Sequence, residues 1–182
     1  MITEKEISYD VVVVGGGPAG MISAGRAAEL GARVALLEKN DSLGKKLLIT
    51  GKGRCNFTHY EFDKTKLVEK FGRDGRFLYS ALEHFGVSEV LDFFQSRGLL
   101  WQVERGNRVF PEERDAGDVL RVLIRYLAEG RARVFCNSKV NKIEFVQDDP
   151  RIFKITYNGG ELFSEKIILS TGGKSYPQTG SS

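Results

Sequence analysis

The sequence predicts an α/β fold built on a parallel β-sheet, and three observations carry that prediction. Four consecutive valines, Val11 to Val14, run into Gly15-Gly16-Gly17-Pro18-Ala19-Gly20. A stretch of helical spacing follows, with Gly20, Ala24 and Ala27 on one face. A second apolar run, Val34-Ala35-Leu36-Leu37, then ends on Glu38. Strand, glycine turn, helix, strand and acid in that order make a βαβ unit, whose crossover leaves its two strands parallel.

Each piece has a local cause. Gly15, Gly17 and Gly20 match G-x-G-x-x-G, which supplies a tight turn, close backbone approach to a pyrophosphate, and close packing of helix on strand. Pro18 fits the first helical turn, where a missing N–H costs nothing, and Gly31 closes the helix. The amino end of such a helix offers free N–H groups and a partial positive charge, suited to two linked phosphates. Glu38 lies 18 residues past Gly20, at the tip of the second strand, where a carboxylate accepts hydrogen bonds from an adenosine ribose. An ADP-containing dinucleotide is therefore expected; the plain alternative is a glycine turn without a ligand.

Composition sets the limits. A chain of 182 residues buries a sizeable core and suits one domain, or one and a fraction. Its 27 Lys and Arg against 24 Asp and Glu leave +3, too small an excess to argue for nucleic acid by charge. No apolar run approaches the ~20 residues of a membrane span. Met1-Ile2-Thr3-Glu4-Lys5-Glu6 lacks the basic and apolar regions of a signal peptide, which predicts a cytoplasmic protein. Cys55 and Cys136 form no disulfide framework.

Beyond Glu38 comes a glycine-rich basic segment, including Leu47-Leu48-Ile49-Thr50-Gly51-Lys52-Gly53-Arg54-Cys55-Asn56. Gly51-Lys52 is not the end of a P-loop: the required earlier glycine is Lys46, and the required Ser or Thr is Gly53. Lys45, Lys46, Lys52 and Arg54 have the chemistry to flank a pyrophosphate, and Asn56 to hydrogen-bond a ring edge. A solvated surface loop explains the same residues equally well.

The middle of the chain reads as helices. Phe77, Leu78, Ala81, Leu82 and Phe85 make an apolar stripe closed by Gly86. Ser88 is a candidate cap for a second helix carrying Val90, Leu91 and Phe94 to Gly98. Val119, Leu120, Leu123, Ile124 and Leu127 mark a third, with Asp115 or Asp118 near its start and Gly130 past its end. All three stripes are expected to be core, with His84 on a helix surface and His59 in a loop. The period then changes. Strands are expected at Arg133-Val134-Phe135-Cys136, Lys139 to Val146, Ile152 to Tyr157 and Glu161 to Leu169, joined by turns at Asp148-Asp149-Pro150 and Asn158-Gly159-Gly160. The last strand runs into Ser170-Thr171-Gly172-Gly173, a second glycine turn.

Four blocks carry a family resemblance over essentially the whole chain. They are Gly15-Gly16-Gly17-Pro18-Ala19-Gly20, the run Gly44 to Thr58, Gly106-Asn107-Arg108-Val109-Phe110-Pro111, and Ser170-Thr171-Gly172-Gly173-Lys174-Ser175-Tyr176-Pro177-Gln178-Thr179-Gly180-Ser181. Together they resemble the YhiN/BaiN-like (aminoacetone oxidase) family of FAD-dependent oxidoreductases. That resemblance implies a Rossmann-like FAD-binding domain of the glutathione-reductase type with an inserted antiparallel β-meander. It makes residues 1–182 the amino-terminal portion of an FAD/NAD(P)-binding domain, with the substrate domain and a terminal FAD-contacting segment missing, and a fragment that binds FAD weakly or not at all.

The resemblance also assigns residues. Gly15, Gly17, Pro18, Ala19 and Gly20 would hold the pyrophosphate, Glu38 with Lys39 the ribose end, and the backbone of Val140 the adenine. Lys46, Gly53, Arg54, Cys55, Asn56, Thr171, Gly172, Gly173 and Tyr176 would line the rest of the cofactor. Hydride transfer at the flavin N5 is the implied chemistry, with NAD(P)H a candidate electron donor. No catalytic proton-transferring residue and no metal site is identified, the substrate is not readable, and Cys55 reads as a packed thiol. Two alternatives stay open: an NAD-binding dehydrogenase domain, and a non-catalytic dinucleotide-binding or RNA-contacting module.

Overall fold

A computed structural model describes residues 9–113, 115–148, 151–176 and 179. Met1 to Glu6, the Asp149-Pro150 turn, and Pro177, Gln178, Gly180 and Ser181 of the terminal block lie outside the described residues. In chain order the elements are β1 (Tyr9–Val14), α1 (Pro18–Glu29), β2 (Val34–Leu37), α2 (Lys45–Ile49), β3 (Thr58–His59), α3 (Lys64–Glu69), α4 (Leu78–His84), α5 (Val87–Gln95), β4 (Trp101–Glu104), β5 (Arg108–Pro111), α6 (Ala116–Glu129), β6 (Arg133–Phe135), β7 (Val140–Gln147), β8 (Ile152–Tyr157) and β9 (Gly160–Leu169). Short 3-10 turns cover Thr50–Gly53 and Gly72–Phe77. The chain divides into two compact units, Met1–Leu47 with Leu123–Ser182, and Leu48–Val122.

The first unit holds a six-stranded sheet of order β6-β2-β1-β9-β8-β7. Its four strands from β6 to β9 pair parallel, with Val11↔Val34 through Val14↔Leu37 in register between β1 and β2. Being covered on both faces, β1 and β2 read as continuous apolar runs rather than alternating ones. Val12, Val13, Ala35 and Leu36 are wholly shielded from solvent, and each fully buried Val or Leu contributes about 1.5–3 kcal/mol. Val12, Val14, Ala35 and Leu37 share one cluster with Ile155 and Leu162 of the meander. On α1, Gly25 lies against the ring of Tyr126, where a Cβ would come within 2.3 Å, so only glycine lets α1 and the end of α6 approach so closely.

The meander and the returning strand are one piece of chain. Gly160 to Ser164 of β9 pair antiparallel with β8, and Lys166 to Leu169 pair parallel with β1. At the change of partner Ser164 is fully buried, and its hydroxyl is satisfied by donating to the Lys166 carbonyl at 3.0 Å. The strand expected at Glu161 to Leu169 is one 10-residue element, Gly160–Leu169, that both closes the meander and returns to the parallel sheet.

The second unit has a small antiparallel sheet, β3-β5-β4, whose fully buried Val109 packs with Val87 and Leu91 of α5. Sequence pattern did not announce this sheet, since its strands have two to four residues each. The stripe from Phe77 to Phe85 is not core: no residue of α4 is buried, and Phe77 is 77% exposed. Gly72–Phe77 winds as a 3-10 turn, and its three-residue period breaks phase with the α-helix that follows. Ser88 is not the cap of α5. That helix starts from Gly86, whose N–H donates to Glu89 Oε2 at 2.8 Å. Asp115 caps α6, its Oδ1 accepting from the N–H groups of Gly117 and Asp118. Ile124 of the predicted α6 stripe is 44% exposed. Among the described residues no helix is long and apolar enough to cross a membrane, and no cluster of three or more His, Cys, Asp or Glu is placed to hold a metal.

Candidate dinucleotide site

The candidate site lies in the first unit, at the carboxyl ends of β2, β1 and β9, where ligands of open α/β sheets bind. β1 continues the ladder one step into the turn, with the Gly15 N–H donating to the Leu37 carbonyl at 2.8 Å. Gly15 then takes φ +107, and a Cβ there would meet the Ser170 carbonyl oxygen at 2.5 Å. Both facts exclude a side chain. Gly20 faces back onto the turn: its Cβ position lies 1.9 Å from the Gly15 carbonyl oxygen.

Gly17 differs. It is the N-cap of α1 with no side-chain cap, no acidic residue follows in the first turn, and a Cβ there would meet nothing within 4 Å. The helix therefore presents uncapped N–H groups to open space, as seating an anion requires. Pro18 and Ala19 are exposed beside it.

Glu38 is buried, 7% exposed, and its carboxylate points at the turn. Oε2 accepts from the Gly16 N–H at 2.6 Å, and Oε1 accepts from the Asn40 N–H at 2.8 Å and its Nδ2 at 2.6 Å. Three of roughly four acceptor positions are thus used within the chain, leaving one for a hydroxyl. Lys39 is exposed next to it. The backbone around the acid is held by β6 and its loop: Glu38 N–H to the Phe135 carbonyl and Ser138 N–H to the Glu38 carbonyl. Val140 opens β7, half-buried against the cluster that includes Phe135 and Tyr157.

After β9 comes the second glycine turn. Ser170 donates its N–H to the Val14 carbonyl at 2.9 Å, and its hydroxyl lies 2.9 Å from that oxygen and 3.1 Å from the Gly15 oxygen. Thr171, Gly172, Gly173 and Tyr176 follow, all exposed, with Gly172 at φ +78 and Tyr176 at φ +54. The Lys46 ammonium donates to the Gly173 carbonyl at 2.9 Å.

The remaining sequence candidates belong to the second unit. Gly53 has φ +85. Arg54 stacks over the Phe110 ring at 4.2 Å and pairs with Glu104 at 2.5 Å. Asn56 accepts from the Val109 N–H at 3.1 Å, which ties it to the small sheet and leaves its amide N–H groups for other partners. Cys55 is buried at φ +59, and burial raises its thiol pKa above the usual range. Sequence reasoning passed over Asn40 and Gly16, which pin the acid; an amide two residues after a strand-end carboxylate was the available signal.

A parallel sheet with a glycine turn, an acid on the adjoining strand and a second glycine turn on the other side defines a Rossmann-type α/β domain. Residues 9–182 match the HI0933-like protein Rossmann domain, and the chain belongs to that FAD-binding family. It is 32% identical over 171 residues to the 3-dehydro-bile acid delta(4,6)-reductase of Clostridium scindens, covering 93% of this chain and 40% of that protein. It is 28% identical over 174 residues to the ribosomal RNA dihydrouridine synthase of Escherichia coli, covering 96% and 42%. The chain thus spans about two-fifths of the length of these relatives. Among solved structures, the 3-ketosteroid-delta4-(5alpha)-dehydrogenase of Rhodococcus jostii superposes with a TM-score of 0.69 at 17% identity, over 97% of this chain and 48% of that one, a likeness of fold.

Proposed function

We propose that this chain supplies the FAD-binding part of a flavin-dependent oxidoreductase, the uncapped α1 terminus at Gly17 being the observation that carries the reading. Two phosphates are the group that such an opening suits, since their charge complements the helix dipole and their oxygens accept from its N–H groups. Glu38, oriented by Gly16 and Asn40, accepts from a ribose hydroxyl with its remaining lone pair. Its negative charge disfavours a 2′-phosphate. Thr171 to Tyr176, which follow β9 in the same unit, bound the far side of the cofactor. Bound flavin supplies hydride chemistry at N5, with NAD(P)H as candidate donor.

Titration of the chain with FAD, followed by flavin fluorescence, tests this. Weak, saturable quenching is the expected result for a chain spanning about two-fifths of its relatives, with tighter binding by a lengthened chain. No quenching by either chain, or tight NAD binding in its place, overturns it.

A second reading concerns the substrate. One relative is named for ribosomal RNA, and the second unit has a concavity of about 740 Å³ lined by Thr65, Val68, Glu69, Arg73, Arg76 and Tyr79. Arg73 and Arg76 make no ion pair among the described residues, and Phe71 and Phe77 are 60% and 77% exposed. Guanidinium groups and open aromatic rings suit phosphates and unstacked bases. A salt-dependent RNA mobility shift that weakens in an Arg73→Ala/Arg76→Ala variant supports an RNA substrate. An absent shift in both proteins overturns this second reading.

A further inference from the structure

We propose that Lys46 is the positioning residue of the second glycine turn, acting through the Gly173 carbonyl and not as a direct phosphate ligand. The inference rests on the FAD reading above and adds what holds one wall of that site in place. Packing does not hold the turn. A Cβ at Gly172 or Gly173 would meet nothing within 4 Å, and Thr171 through Tyr176 are exposed. Its shape must therefore come from hydrogen bonds, because an exposed segment that includes two glycines has many conformations to lose.

Two side chains supply tethers at its two ends. At the entry, the Ser170 hydroxyl reaches the carbonyls of Val14 and Gly15 and fastens the second turn to the first. Further along, Lys46 comes across from α2, 127 positions earlier in the chain. Its ammonium donates to the Gly173 oxygen at 2.9 Å and reaches the Ser175 hydroxyl at 3.5 Å. The charge-assisted bond to a carbonyl is the stronger type.

The neighbouring lysine provides the contrast. Lys45 turns to Asp41 at 2.9 Å, an i,i+4 pair within its own segment. Two adjacent lysines of the same chemistry thus have different tasks, one local and one reaching across the site. With its ammonium engaged by Gly173 and Ser175, Lys46 fixes which way the Gly173-Lys174 peptide is turned.

The test compares Lys46→Met, Lys46→Gln, Lys46→Arg and Lys45→Met with the unaltered chain, with two readouts. One is tryptic cleavage after Lys174 without FAD, quantified by mass spectrometry; the other is FAD affinity. Lys46→Met and Lys46→Gln are expected to be cleaved there several-fold faster and to bind FAD about tenfold less tightly, as suits loss of one charged hydrogen bond. Their melting temperatures stay unchanged. Lys46→Arg restores both readouts and Lys45→Met moves neither. Wild-type cleavage at Lys174 in both neutral variants overturns the inference, as does faster cleavage with unaltered FAD affinity. If the unaltered chain binds no FAD, affinity is read on a lengthened chain; if that chain binds none either, the FAD reading fails, and the cleavage readout still decides whether Lys46 holds the turn.

Discussion

A Cβ on Gly20 would stand 1.9 Å from the carbonyl oxygen of Gly15, so the glycine turn and the first turn of α1 meet with no room for a methyl group. Two positions later than Gly15, at Gly17, the same methyl would meet nothing, and Gly17 has φ −79, which alanine tolerates. The two glycines therefore separate folding from binding. Gly20→Ala is expected to cost about 1–3 kcal/mol in urea denaturation through overpacking. Gly17→Ala stays within about 0.5 kcal/mol of the original but is expected to lose FAD affinity, because the methyl would project into the space proposed for the pyrophosphate. Equal FAD binding by Gly17→Ala would remove the pyrophosphate from this turn.

Glu38 holds the turn as well as facing it. Its carboxylate satisfies the Gly16 N–H and both donors of Asn40 in a buried setting. Glu38→Ala leaves those donors without their acceptor, at about 1–3 kcal/mol. The loss is expected in chemical denaturation without any nucleotide present. Unaltered stability would mean that the acid serves the ligand alone.

The stretch from Val11 to Glu38 was legible because its determinants are local: a glycine turn, a small-residue helix face and an acid at a fixed offset. The same holds for the strands from Ile152 to Leu169, which show in their β-branched composition. What escaped depends on distant partners. β9 changes from β8 to β1 at Ser164 through registers that no local pattern encodes. Phe77 and Phe85 repeat with helical spacing yet face solvent, since periodicity reports which residues share a face and not what covers it. In the candidate site, Lys46 was legible only as one of several basic residues after Glu38, and its bond to Gly173 joins parts of the chain too far apart for spacing to reveal.

The two cysteines are expected to differ in labelling. Burial raises the Cys55 thiol above its usual range, and Cys136 is raised by burial first and then by the negative charges of Glu38 and Asp41. Since only the thiolate attacks, both react more slowly than a free thiol at neutral pH and accelerate as pH rises. Cys136 is half-buried and Cys55 almost fully buried, so iodoacetamide should modify Cys136 first in the native chain and Cys55 only on unfolding. Peptide mapping after timed quenching reads the order, and early modification of Cys55 would contradict the packing described for it.

Asp10 and Arg33 fasten the start of β1 to the segment entering β2. Arg33 donates its backbone N–H to Asp10 Oδ2 at 2.7 Å, and its guanidinium donates to Oδ1 through Nε at 3.0 Å and through a terminal nitrogen at 2.6 Å. The side-chain hydrogen bond to Arg33 is the largest cause holding the Asp10 carboxyl below its usual pKa, against the opposing effect of burial. A carboxyl whose folded pKa lies below its unfolded value contributes stability that is present above the unfolded pKa, and is lost as pH falls through the folded one. The arginine side chain is 58% exposed, so solvent screening keeps the contribution to about 1 kcal/mol or less. Asp10→Asn is therefore expected to lower stability slightly at neutral pH, and the gap should close as the buffer is taken below the ordinary carboxylate range. Denaturation curves of both proteins across that range decide the matter, because a gap of constant size in acid would assign the loss to the backbone hydrogen bond and not to charge.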